Sequence, residues 1–281
     1  MTIATEWVEY GGKQVGYLAR PVSPPGAGAA EPLSRPLPGV IVLQEIWGVD
    51  AHIQDVTRRF AAAGYAALAP DLYAVNGARP AALTEKRVRA TQLFVETLPR
   101  PAMFDPSARA AGLATRPETE RHEIEETFQA LFASVMSGGL KLEVWIPSVA
   151  AAAAYLRAGA SQGQKVATVG FCMGGGLSAL YACTDPELAA AVVFYGNAPS
   201  AEQLQGIACP VLGLYGSLDE RVNAGLPAFA AAMKGAGKAF DHHLYDGAEH
   251  AFFNDNRASY HPAAARDAFV RTLDLFRRQL A

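Results

Sequence analysis

A thiol, a carboxylate and an imidazole are spaced along this chain in a way that suits nucleophilic catalysis. Cys172 lies in Gly170-Phe171-Cys172-Met173-Gly174, after the apolar run "KVATVGF" and before the apolar segment "GGGLSALYAC". A strand–turn–helix elbow strains the backbone of its central residue and crowds the neighbours two positions away, so glycine suits both flanks. Such a turn lifts the side chain out at the carboxyl end of a sheet. It also aims it at a helix N-terminus, whose unpaired N–H groups favour a thiolate or an oxyanion. The plainer reading is a buried structural cysteine beside a Gly-rich turn. A phosphate loop does not fit, because the glycines lack the G-K-[ST] ending.

The partners favour the elbow. An open α/β sheet with this elbow places an acid and then a histidine after later strands. In "LGLYGSLDERV" Asp219 falls just past one apolar run, and in "HHLYDGAEHAF" His250 falls just past the next. Asp246 is the rival acid, but it shares a strand exit with His250, which leaves Asp219 as the better orienting carboxylate. His242 and His243 fall inside a strand and read as structural. Cys183 follows Cys172 by about three helical turns, or ~16 Å of rise, too far to pair with it. Cys209 precedes a proline, and both it and Cys183 read as inert, buried thiols.

The elements that must hold these residues follow from hydrophobic pattern. "EWVEYGGKQVGYLARP" predicts a hairpin within residues 1–22, hinged at Gly11-Gly12. The prolines of residues 23–38 predict a surface connection. "GVIVLQE", "YAALAPDLYA", "KVATVGF", "LAAAVVFYG", "CPVLGLYGS" and "AFDHHLYD" read as strands, most of them continuous apolar runs. "IQDVTRRFAAAG", "IPSVAAAAAYLRAGA", "GGGLSALYAC", "LPAFAAAMKGAG" and "HPAAARDAFVRTLDLFRRQL" read as helices between and after them. The alternation predicts a mostly parallel sheet with helices on both faces, in one domain over residues 1–281. Residues 80–145 interrupt it with helical material. There, Ile124, Phe128, Leu131, Phe132, Val135 and Met136 form one helical stripe. The stripe suits a core-facing helix, with a lid or a homodimer contact as the alternatives.

Composition sets the outer limits. The 281 residues are 51% hydrophobic and 18% charged, enough for a substantial core. A net charge of −3 gives no basic footprint for nucleic acid. No apolar run is long enough to span a bilayer, and "MTIATEWVEY" does not read as a secretory signal. Three cysteines without CxxC or zinc spacing point to a reducing cytoplasm and to no metal.

Taken together, "VIVLQEIWGV", "GYAALAPDLYA", "VGFCMGGG", "YGSLDERV" and "GAEHAF" resemble, in order, the motifs of the dienelactone hydrolase family of α/β-hydrolases. The resemblance runs over nearly the whole chain. It implies the α/β-hydrolase fold and makes Cys172 the nucleophile, His250 the general base and acid, and Asp219 the residue that orients the imidazole. It also implies that Glu45 helps remove the thiol proton. A carboxylate at a buried strand end is costly unless paired, which itself favours a functional role. The oxyanion hole would be the backbone N–H groups of Met173 and Ile46.

The substrate side departs from the family. The serine and arginine expected just past the histidine are replaced in His250-Ala251-Phe252-Phe253-Asn254. Ala251, Phe252 and Asn254 are then expected in the pocket wall, and Arg89 is the one candidate for holding a carboxylate. The reading is an ester or lactone hydrolase that needs no cofactor or metal and acts on a small molecule. A broader carboxylesterase or thioesterase, a non-catalytic ligand-binding relative and a thiol redox protein are the alternatives.

Overall fold

The computed structural model describes residues 2–23, 35–136 and 141–281, and of these all side chains except those at 100, 101 and 134–136. Most of the connection expected over 23–38 lies outside the described residues, as do the side chains of Val135 and Met136. The chain opens as a hairpin, β1 (Thr2–Tyr10) and β2 (Gln14–Val22), turning through Gly11, Gly12 and Lys13 at positive φ. Then follow β3 (Gly39–Leu43), α1 (Ala51–Ala62) and β4 (Ala66–Pro70). Three helices intervene, α2 (Glu85–Val95), α3 (Pro106–Leu113) and α4 (Glu118–Met136). The alternation resumes with α5 (Ile146–Ala158), β5 (Val166–Phe171), α6 (Met173–Ala182) and β6 (Ala191–Phe194). It ends with β7 (Val211–Gly216), α7 (Glu220–Asn223), α8 (Leu226–Gly235), β8 (Phe240–Tyr245) and α9 (Pro262–Leu280).

The eight strands form one sheet in the order β1-β2-β4-β3-β5-β6-β7-β8. The hairpin joins antiparallel, β2 against β4, and every pairing from β4 to β8 is parallel. Side-chain alternation sorts the strands into two apolar layers. Val40 and Val42 of β3 pack with Ile53, Val56 and Phe60 of α1 and with Ala268 and Phe276 of α9. Ile41 and Leu43 pack on the other face with Leu156 of α5, Leu177 of α6 and Met233 of α8. Both faces of the central strands are buried, which is why their sequences read as unbroken apolar runs.

The helical insertion joins the second layer. Ile124, Phe128, Leu131 and Phe132 of α4 are all buried, so the described part of the stripe faces the core. Phe128 stacks on Phe132 with centroids 4.7 Å apart. The Arg109 guanidinium lies 4.1 Å above the Phe128 ring and donates to Glu125 at 3.0 and 2.7 Å and to the Met103 carbonyl at 3.0 Å. A fully buried arginine is tolerable there because each polar edge has an acceptor and one face has a ring.

Candidate active site

Cys172 begins where β5 ends, with φ 54° and ψ −114°. A non-glycine residue in that region costs about 1–3 kcal/mol and persists only when its surroundings hold it. They do so from both sides. The Cys172 N–H donates to the Phe194 carbonyl at 3.0 Å, extending the sheet, while the Cys172 carbonyl accepts from Gly175 and Gly176 of α6. The glycines have separate tasks. A Cβ on Gly170 would fall 1.8 Å from the Gly174 carbonyl oxygen, inside the elbow itself. One on Gly174 would fall 2.3 Å from the Leu43 carbonyl oxygen, so this glycine lets α6 close against β3.

Two more strained residues stand beside it. Tyr195, just past β6, has φ 40°, and Ala251, next to His250, has φ 63°. With Cys172 they make three of the five non-glycine residues at positive φ among the described residues. Strain of this kind collects where a sheet edge presents side chains for use.

The structure brings Cys172, Asp219 and His250 together. Asp219 follows β7 and is buried; its carboxylate meets Nδ1 of His250. Cys172 stands near enough to act electrostatically on the same ring. Burial disfavours the His250 imidazolium, but the charge of Cys172 and the hydrogen bond to Asp219 outweigh it and push the histidine up to about 10. Burial likewise works against the Asp219 carboxylate, yet His250 brings its pKa below the usual value. Asp246 is exposed. The other two thiols are far from ionisation, since burial pushes Cys183 up to about 11 and Cys209 up to about 12.

Glu45 leaves the end of β3 and is 3% exposed. Its Oε2 accepts from Asn254 Nδ2 at 2.9 Å and its Oε1 from the Tyr195 hydroxyl at 3.3 Å. The Tyr195 ring also lies 5.0 Å from that of His250. The next residue, Ile46, is held through its carbonyl, which accepts from the Tyr73 hydroxyl at 2.7 Å. Met173 opens α6, so its N–H has no acceptor within the helix. Among the described residues, no group of three or more His, Cys, Asp or Glu side chains is arranged to hold a metal ion.

The Dienelactone hydrolase family matches residues 26–280. The chain belongs to that family. A "Putative carboxymethylenebutenolidase" of Saccharolobus solfataricus is 36% identical over 246 residues, covering 87% of this chain and 90% of its own. One from Escherichia coli O157:H7 is 30% identical over 254 residues, covering 86% and 78%. The crystal structure of a putative dienelactone hydrolase from Klebsiella pneumoniae superimposes with a TM-score of 0.71 at 26% identity, covering 99% of this chain and 100% of that one. Family membership makes the protein an α/β-fold hydrolase.

Of the residues expected at the pocket, Ala251, Phe252 and Asn254 are buried and Arg89 is exposed. Phe252 is fully buried and packs against Phe194, Tyr195 and Tyr245, just after the positive φ at Ala251. Ala251 is itself 5% exposed. Asn254 is fully buried too, and its amide serves Glu45 rather than an open pocket. Arg89 is exposed on α2 and donates to Gln92 Oε1 at 2.8 Å. A different arginine lies nearer the centre. The Arg257 guanidinium sits 5.8 Å above the ring of Trp47, the residue after Ile46, and 3.6 Å from a Glu96 carboxylate oxygen. Its charge reaches the Tyr195 hydroxyl. It stands seven residues past His250, beyond the offset at which a family arginine is expected, and only tertiary folding reveals its place.

Proposed function

We propose that the protein opens a carboxylic ester or lactone by covalent catalysis at Cys172. The observation that carries this reading is the contact of the Asp219 carboxylate with His250 Nδ1, beside a Cys172 held at positive φ where β5 ends. His250 holds the proton that Sγ has given up as the sulfur attacks the carbonyl carbon. The tetrahedral oxyanion forms beside the N–H groups of Met173 and Ile46, each such donor being worth about 3 kcal/mol in the transition state. Collapse expels the alkoxide, which receives the proton from the imidazolium and leaves a thioester. A water that gives its proton to His250 then attacks the thioester, and a second collapse releases the acid and restores the thiol. In a lactone the expelled alkoxide stays tethered to the acyl group.

Asp219 supports this cycle by fixing the imidazole tautomer and by stabilising the imidazolium. Glu45, held by Asn254 and Tyr195, helps remove the thiol proton. A reducing compartment such as the cytoplasm suits a centre that depends on a free thiol. The test is a panel of esters and lactones assayed with wild type and Cys172→Ala. Burst release of alcohol that disappears in Cys172→Ala is the expected result. Undiminished turnover in that variant overturns the reading.

A further inference from the structure

One buried titratable side chain has no part in this cycle. His52, in the first turn of α1, is 1% exposed. Its ring meets Phe171, the residue before Cys172, edge-on at 6.1 Å, and Phe253, three residues past His250, at 6.3 Å. Neither ring nitrogen has a hydrogen-bond partner. A phenylalanine would fill the same space without two unpaired polar atoms, so packing alone does not account for an imidazole. The nearest charge does. Asp255 Oδ1 lies 3.6 Å from Nδ1, an ion-pair distance just beyond a hydrogen bond.

Asp255 belongs to the segment that carries His250 and Asn254. That segment is a tight series of turns: Asn254 N–H donates to the Ala251 carbonyl at 3.0 Å, Arg257 N–H to the Asn254 carbonyl at 3.1 Å, and Asn256 N–H to Asn254 Oδ1 at 3.1 Å. A displacement at Asp255 therefore reaches both Asn254 and Ala251. On the α1 side the carboxylate meets His52 and Arg59, and Arg59 is itself held by Asp55 at 2.6 Å. His52 and then Arg59 keep the Asp255 carboxyl well below the usual carboxylate range. The remaining acid on this side, Asp50, caps α1 by accepting from the Ile53 N–H at 3.0 Å.

We infer that His52 and Asp255 form a positioning pair that ties the His250–Asn254 segment to α1, holding His250 against Cys172 and Asn254 against Glu45. The inference rests on the ester-hydrolase reading above. It makes His52 the point where the nucleophile elbow, the histidine segment and the helix after Glu45 are registered against one another.

The experiment is a double-mutant cycle with His52→Phe, Asp255→Asn and the combined variant, assayed on a p-nitrophenyl ester beside wild type and Cys172→Ala. Misplacing a catalytic group by about an ångström typically costs up to ~100-fold, so each single variant should lower kcat by ~10- to 100-fold with KM unchanged. The combined variant should be no slower than the worse single one, since both break the same link. Urea melts separate this from lost stability, and the half-exposed Asp255 carries the test if His52→Phe does not fold. Wild-type kcat in a normally folded Asp255→Asn, or effects that multiply in the combined variant, overturns the inference alone. Turnover that survives Cys172→Ala overturns the ester-hydrolase reading and the inference with it.

Discussion

The carboxyl edge of the sheet and the helical insertion at 80–145 are built on different terms. At the sheet edge, Cys172, Tyr195 and Ala251 hold positive φ, and backbones approach so closely at Gly170 and Gly174 that no side chain fits. In the insertion no described residue has positive φ, and order comes from side chains packed on α4. Strained backbone on a rigid sheet fixes where a reacting atom sits, whereas packed helices fix volume and shape. The first region should therefore fail in activity when a single atom changes, and the second in stability.

The largest effect expected at the sheet edge is that of Cys172→Ala, which should abolish ester turnover, while Cys183→Ala and Cys209→Ala stay close to wild type. Iodoacetamide labelling followed by peptide mapping should find Cys172 modified first. Asp219→Asn should keep the fold and lower kcat by ~10⁴-fold through loss of tautomer control, with Asp246→Asn nearly silent. Reversed kcat values for the two aspartates would hand the orienting role to Asp246. The same pair has a signature in stability. Asp219 has its pKa lowered, so its contribution is present above the usual 3.8 and is lost as pH falls through the folded value. His250 is raised from 6.5 to about 10, so its contribution is full below 6.5 and is lost as pH rises toward 10. The gap in urea midpoint between wild type and Asp219→Asn should be widest between about pH 4 and pH 6.5.

In the insertion the order of effects should reverse. Phe128 is fully buried between Phe132 and Arg109, so Phe128→Glu should cost at least the ~3–5 kcal/mol of a Phe→Ala truncation, with an unpaired charge added. Denaturant melts measure this directly. Unchanged stability with an altered KM or oligomer mass would make α4 a lid or a contact surface instead. Phe132 meets Trp47 edge-on at 5.6 Å, so a loosened insertion should also disturb the wall that carries Ile46.

The contrast also explains what could be read from the chain before folding. Buried parallel strands must be apolar on both faces, so β3 to β7 stood out as continuous runs. The elbow was legible because its glycines answer a local steric demand. The meeting of Asp219 and His250 was legible because a parallel sheet delivers successive strand ends to one edge. The burial of Phe252 and Asn254 was not legible, because all of residues 251–254 pack inward and no alternation in the sequence marks that. The hold of Asn254 on Glu45 joins residues more than two hundred positions apart, and no local pattern encodes it. Arg257 was missed for the same reason, since its place over Trp47 depends on how the segment after His250 folds back.

That arginine gives the smallest and most discriminating effect. The sequence left Arg89 alone to hold an anionic substrate, which favours neutral esters and lactones. The structure leaves Arg89 exposed and bonded to Gln92, while Arg257 lies against Trp47 at the edge of the candidate site. Its partner Glu96 is 3.6 Å away, too long for a good hydrogen bond, so a substrate carboxylate could compete for the guanidinium. A charge-assisted contact is worth ~1.5–3 kcal/mol, so Arg257→Gln should lower kcat/KM for a free-acid ester by ~10- to 100-fold. The matched methyl ester, which lacks the charge, should change little, and Arg89→Gln should affect neither. Glu96→Gln should move the free acid the other way by freeing the guanidinium. Equal losses on both substrates in Arg257→Gln would mean that the arginine supports Trp47 and the wall rather than the ligand. A loss confined to Arg89→Gln would restore the assignment made from sequence and place the binding surface on α2, within the insertion.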